Sequence, residues 1–133
     1  MVGPGRGALS RTQLAAALDY ISRTPQIWEV ILTGGDPLLL PPRRIKDVME
    51  RIAAIDHVKV VRIHTRMPIA APERISKLLV AALRSGKATF LVLHANHARE
   101  LTAQARGACA RIIDAGIPML SQSVLLRGVN DDV

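Results

Sequence analysis

Hydrophobic positions along this chain switch repeatedly between helical and strand spacing. Leu14, Leu18 and Ile21 fall on one helical face, behind a Ser10-Arg11-Thr12-Gln13 capping box and ahead of Pro25, which predicts a first helix ending near Arg23. Residues 27–33 form a short apolar run and read as the first strand. From Pro42 onward Ile45, Val48, Met49, Ile52 and Ile55 recur at helical spacing with Arg43, Lys46, Asp47 and Glu50 outward, so this second helix must lay its apolar face on a sheet. Residues 58–64 read as a second strand, partly exposed because Lys59 and Arg62 interrupt it. A third helix is predicted after Pro72, with Glu73 in its first turn, Ile75, Leu78, Leu79 and Leu83 inward, and Gly86 as its stop. Residues 89–94 give a third strand. A helix over residues 98–115 follows, with Leu101, Ala105, Ala108, Cys109 and Ile112 inward; Gly116 and Pro118 close it, and residues 119–126 supply a fourth strand.

Strands alternating with helices at a pitch of roughly 30 residues, the size of one strand-plus-helix unit, predict an α/β fold: a parallel sheet of four β/α units with right-handed crossovers. Residues 10–133 are expected to form one such domain, with residues 1–9 a loose N-terminus. In sheets of this kind functional groups gather at the C-terminal strand ends. Each predicted strand here ends in a polar cluster: Thr33-Gly34-Gly35-Asp36, His64-Thr65-Arg66, His94-Ala95-Asn96-His97 and Ser121-Gln122-Ser123. Two consecutive glycines let a ligand approach the main chain without meeting a Cβ, and Asp36 places an acceptor beside them. A plain strand-to-helix turn would use the same residues, and His64 or Arg66 could equally cap a helix or pair with an acid.

Composition narrows the reading. Hydrophobic residues make up 49% and aromatics 2%, a balance suited to aliphatic strands under helices and unsuited to single-stranded nucleic acid, which needs stacking platforms. The net charge of +7 points to anionic partners such as phosphates, carboxylates or nucleic acid, or to a solvated basic surface. One cysteine, Cys109, excludes an internal disulfide, fits a reducing compartment and reads as an inert core thiol. No apolar run approaches the ~20 residues of a membrane span, and no signal peptide is evident, so a cytoplasmic location is expected. His94 and His97 have no cysteine or acid cluster beside them, so no metal site is expected. A Ser-His-Asp arrangement, a P-loop and a dinucleotide fingerprint are all missing.

Four blocks in order carry a resemblance: Val30-Ile31-Leu32-Thr33-Gly34-Gly35-Asp36-Pro37-Leu38, Arg62-Ile63-His64-Thr65-Arg66-Met67-Pro68, His94-Ala95-Asn96-His97, and Gln122-Ser123-Val124-Leu125-Leu126-Arg127-Gly128-Val129-Asn130-Asp131. From about residue 11 to residue 133 the chain resembles the lysine 2,3-aminomutase family of radical S-adenosylmethionine enzymes, especially the branch making β-lysine for elongation factor P. The resemblance implies part of a (β/α) TIM-like barrel holding S-adenosylmethionine, a 4Fe-4S cluster and pyridoxal phosphate, and an isomerase moving the amino group of L-lysine from C2 to C3. Thr33, Gly34, Gly35 and Asp36 match the loop receiving the methionine amino group; His94, Asn96 and Gln122 match positions facing the adenosyl part, with Arg66 at the same cavity. The family's three cluster cysteines precede the Gly-Gly-Asp strand, where this chain has none, and its pyridoxal-phosphate lysine lies beyond the last block. The chain is thus expected to look like the middle of the enzyme, as a truncated frame inactive by itself, with a non-catalytic remnant binding a small ligand or anion as the alternative. Unpaired sheet edges predict a homo-oligomer.

Overall fold

The computed structural model describes residues 9–131; the expected loose N-terminus falls, except for Leu9, outside the described residues. Helix α1 (Arg11–Ser22) starts as the sequence predicts: the Ser10 hydroxyl accepts from the Gln13 amide at 3.1 Å, and the Gln13 side chain accepts from the Ser10 amide at 2.9 Å. Strand β1 (Glu29–Leu32) begins two residues later than expected, because Ile27 is held in a turn by the hydrogen bond its amide donates to the Thr24 carbonyl. A 3₁₀ turn (Pro37–Leu39) then leads into α2 (Pro42–Ala53), which buries Ile45, Val48, Met49 and Ile52.

Strand β2 (Val60–Thr65) is followed by a single helical turn, α3 (Met67–Ala70), and a 3₁₀ turn (Pro72–Arg74). The third predicted helix is therefore shorter than its apolar pattern suggests. Ser76 caps a fresh start by accepting from the Leu79 amide, α4 runs Lys77–Leu83, and the restart turns Leu78 outward, 70% exposed, instead of inward. Gly86 is not its stop, since Arg84 already returns to extended backbone. Strand β3 (Ala88–His94) matches expectation to within one residue. The predicted helix 98–115 is divided into a 3₁₀ turn (Ala98–Glu100) and α5 (Ala103–Asp114), capped by Thr102, which leaves Leu101 at the break and partly exposed. Gly116, at φ 82°, makes the left-handed exit from α5 that an L-residue would resist. Strand β4 (Met119–Gln122) stops four residues short of the predicted end.

The four strands form one parallel sheet in the order β1-β2-β3-β4, as the alternation of periods predicts. Its register puts Val30, Val61 and Thr89 abreast, then Leu32, Ile63 and Leu91, with Thr65 beside Leu93. These side chains face the helices, and most join Met49, Ile52, Leu79, Leu83, Ala108 and Ile112 in one core. Burying each such aliphatic side chain contributes ~1.5–3 kcal/mol. The opposite face carries Glu29, Ile31, Arg62, His64, Phe90, Val92, His94, Leu120 and Gln122. It is far less covered: Ile31 and Leu120 are exposed, and Arg62, His64 and His94 are half-buried. Among the described residues, no helix is long and apolar enough to cross a membrane.

Candidate functional site

All four sequence-predicted clusters lie at the C-terminal strand ends, on neighbouring strands. After β1, Gly34 adopts φ 109°, a conformation that only glycine takes without strain, and a Cβ added at Gly34 or Gly35 would meet no protein atom within 4 Å. The loop therefore offers bare backbone to open space. Asp36 behaves differently, because its carboxylate is engaged by the fold. Oδ1 accepts from the Leu38 amide at 3.0 Å and caps the 3₁₀ turn. The Thr65 hydroxyl donates to both carboxylate oxygens at 2.7 and 2.8 Å, and the Arg66 amide donates to Oδ2 at 2.8 Å. Thr65, only 2% exposed, accepts in turn from the Met67 amide at 2.9 Å. Asp36 thus fastens the end of β1 to the end of β2.

A second tie joins β2 to β3. The Arg66 guanidinium pairs with Glu100, whose other oxygen accepts from the Asn96 and His97 amides at 2.7 and 2.9 Å. His97 completes this turn by accepting at Nδ1 from the Arg99 amide, a capping role that leaves no reason to read it as a metal ligand. The Asn96 amide foremost, then the His97 amide and Arg66 against an opposing cost of burial, hold the Glu100 carboxyl below the usual carboxylate range. Its stabilising contribution is therefore full above the unfolded carboxylate's titration and is lost as pH falls through the lower, folded one. Hydrogen exchange should show the Asn96 and His97 amides losing protection over that acidic interval. In Glu100→Gln that loss should vanish, and an unchanged pH profile would remove the tie from the account.

Asn96 stitches β3 to the segment after β4: its Oδ1 accepts from the Val124 amide at 3.0 Å, while Asn130 donates from Nδ2 to the Asn96 carbonyl at 2.6 Å and to the Val124 carbonyl at 2.8 Å. On the open face, His94 stands in register with Gln122 and meets His64, whose Nδ1 lies 3.2 Å from His94 Nε2. Two strand positions earlier, Arg62 bonds Glu29 across the sheet at 2.6 Å. Burial, His94 and Arg62, in that order, hold His64 below the usual histidine range, opposed by Gln122 and Glu29.

The structure so arranges Thr33, Gly34, Gly35, His94 and Gln122 along one row of strand ends, with Asp36, Arg66 and Asn96 tying the loops between them. Sequence reading did not assign roles to Thr65, Glu100 or Asn130, and gave His64 only a capping or ion-pairing one. Only His64 left a clear signal, standing at the strand end matching His94 one unit later. Two clefts of about 470 and 360 Å³ flank Arg111 on the helical side, lined in part by Pro72, Gly107, Lys77 and Arg84. Among the described residues no three His, Cys, Asp or Glu side chains converge as a metal site.

No family model matches the chain. Individual relatives do. An L-lysine 2,3-aminomutase of Fusobacterium nucleatum is 38% identical over 131 residues, 98% of this chain and 31% of that protein. Those of Acetoanaerobium sticklandii and Escherichia coli are each 42% identical, over 97% and 87% of this chain and 31% and 34% of their own lengths. The chain spans about a third of the length of the curated relatives it matches, and with 38–42% identity to them over most of its own length this chain belongs to the lysine 2,3-aminomutase family.

Proposed function

We propose that these residues form the S-adenosylmethionine-facing strands of a lysine 2,3-aminomutase, an isomerase moving the amino group of L-lysine from C2 to C3. One observation carries this reading: the bare backbone at Gly34 and Gly35 opens onto the same row of strand ends as His94 and Gln122. S-adenosylmethionine suits that row. Its methionine amino group would sit against the main chain of Thr33, Gly34 and Gly35, with Asp36 shaping the loop from below. Its adenosyl part would lie along His94, Asn96 and Gln122, and the Arg66 guanidinium would offer positive charge to its carboxylate. Bound in this way, S-adenosylmethionine would supply radical chemistry only once an electron reached it from a reductant that these residues do not hold; the chain's own residues would hold it in register and exclude water from one side.

The other two groups of the family do not suit the residues present. An iron-sulfur cluster needs several converging thiolates, and Cys109 is the one cysteine, half-buried on α5 with its thiol pushed up by burial. Pyridoxal phosphate needs a lysine at the reacting centre, whereas Lys46 and Lys77 lie on helices and Lys59 and Lys87 precede their strands. No step is therefore derived through either group. The cysteine count favours a second reading for the chain by itself, in which it binds an adenosyl or anionic ligand without chemistry. Delivery of β-lysine to elongation factor P belongs to the first reading, on the strength of the Arg62 to Arg66 and Gln122 to Arg127 blocks. So does edge-to-edge self-association through β1 and β4, which sedimentation would register as a mass rising with concentration.

Gly35→Val tests the ligand half. Gly35 has ordinary φ and open space at its Cβ, so valine leaves the fold intact and obstructs only a ligand at the backbone. Titration calorimetry with S-adenosylmethionine should show affinity falling at least ~10-fold, about 1.4 kcal/mol, with Gly35→Ala between. Equal affinities, or no binding by the unaltered chain, would return the loop to an ordinary turn.

A further inference from the structure

His64 Nδ1 and His94 Nε2 lie 3.2 Å apart, with ring centroids at 5.3 Å and planes at 83°; a hydrogen bond at that distance needs one proton between them, and its ownership decides what His94 shows to a ligand. His64, held below the usual histidine range, is neutral at neutral pH and has a single ring proton to place. If His94 were the donor, that proton would sit on His64 Nε2, which is buried and has no partner among the described residues. The open face would then hold two orphaned N–H groups, because Arg62 Nε is also buried and unpartnered and is always a donor. Orphaned buried N–H groups are rarer than under-used acceptors, since nothing nearby replaces the lost water. Donation by His64 Nδ1 avoids this: it leaves a lone pair on Nε2, on the same strand face as the Arg62 cation. The Gln122 side chain also acts on His64, raising its titration as an acceptor of a ring N–H does, yet it forms no hydrogen bond with Nε2. His94 then accepts at Nε2 and carries its own proton on Nδ1, an atom that bonds no group among the described residues and is not among the buried, unpartnered ones.

We propose that His64 is a positioning residue that locks His94 in the Nδ1–H tautomer, so that the end of β3 presents a hydrogen-bond donor to an acceptor atom of a nucleoside-type ligand. The choice of ligand rests on the strand-end reading above; the tautomer does not. With His64 in place the site favours a ribose oxygen or an unprotonated ring nitrogen against His94 and disfavours a donor there.

Long-range proton–nitrogen correlation spectra of the histidine-labelled chain, recorded at neutral pH without ligand, read both tautomers directly. The expected pattern is Nδ1–H on His64 and on His94. In His64→Ala, His94 should turn to the Nε2–H form that free imidazole favours. In His64→Asn, whose amide nitrogen takes the place of Nδ1, it should return to Nδ1–H. Three results would overturn the proposal: Nε2–H on His94 in the unaltered chain, a His94 tautomer unmoved by His64→Ala, or both rings at the free-histidine ratio, as in a chain without a fixed fold. Because no ligand is present, failure of S-adenosylmethionine to bind leaves the tautomer result intact, and a wrong tautomer leaves the calorimetry intact.

Discussion

Asp36→Ala is expected to lower the stability of the chain by about 2–4 kcal/mol, as read from the midpoint of chemical denaturation. Loss of the cap on the 3₁₀ turn accounts for ~1 kcal/mol. The larger part comes from Thr65, a residue 2% exposed whose hydroxyl loses its only acceptor among the described residues, and from the Arg66 amide, which loses the same carboxylate. Asp36→Asn should fall between, because its oxygen can still serve Leu38 while its NH₂ group would confront one of the remaining donors. Thr65→Val removes the other half of the latch. The double variant should therefore cost less than the two singles added, with a coupling above ~1 kcal/mol. Simple additivity would mean that the four bonds contribute nothing jointly and that the two strand ends are independent. The functional corollary is that the acid of the Gly-Gly-Asp motif works inside the fold: Asp36→Asn should spare ligand affinity more than Gly35→Val does.

Local patterning made much of this architecture readable. A capping box, two hydrophobic periods and a regular spacing of strand ends required an α/β parallel sheet, and the α1 cap and the strand order appear as expected. What local patterning hid were restarts within a continuous apolar pattern. Ser76 and Thr102 each cap a new helix where the hydrophobic spacing runs on, so Leu78 and Leu101 looked inward and are not. Residues 123–126 have strand-like composition but no partner, since β3 ends at His94 and its chain turns away; Leu125 is left 83% exposed. β-propensity expresses pairing, and a run without a neighbour does not form a strand. The site divides in the same way. Glycines and polar strand ends were visible because their chemistry is local, whereas Asp36 with Thr65, Arg66 with Glu100 and His64 with His94 join residues about one β/α unit apart. Only the sheet brings them together.

Anaerobic reconstitution with iron and sulfide should leave the 133-residue chain without a 4Fe-4S absorption band, and a strong reductant with S-adenosylmethionine should then yield no 5′-deoxyadenosine above a protein-free control. The reason is ligand number and geometry. A cluster of this type is held by several thiolates converging on one point, and the single thiol here sits on α5, where its face packs against the core. Burial raises the Cys109 titration, so the thiolate that would bind iron is disfavoured even at that one position. Among the described residues no three carboxylates, histidines or thiols gather elsewhere to substitute. Cys109→Ser is the internal control and should leave the result unchanged. The two readings of the chain separate at this point. Calorimetric binding that Gly35→Val abolishes, together with no cleavage, describes strands that position the cofactor while another part of such an enzyme must supply the electron. Cluster-dependent 5′-deoxyadenosine from these residues would show that the thiolate requirement had been misjudged, and loss of that product in Cys109→Ser would identify the ligand responsible.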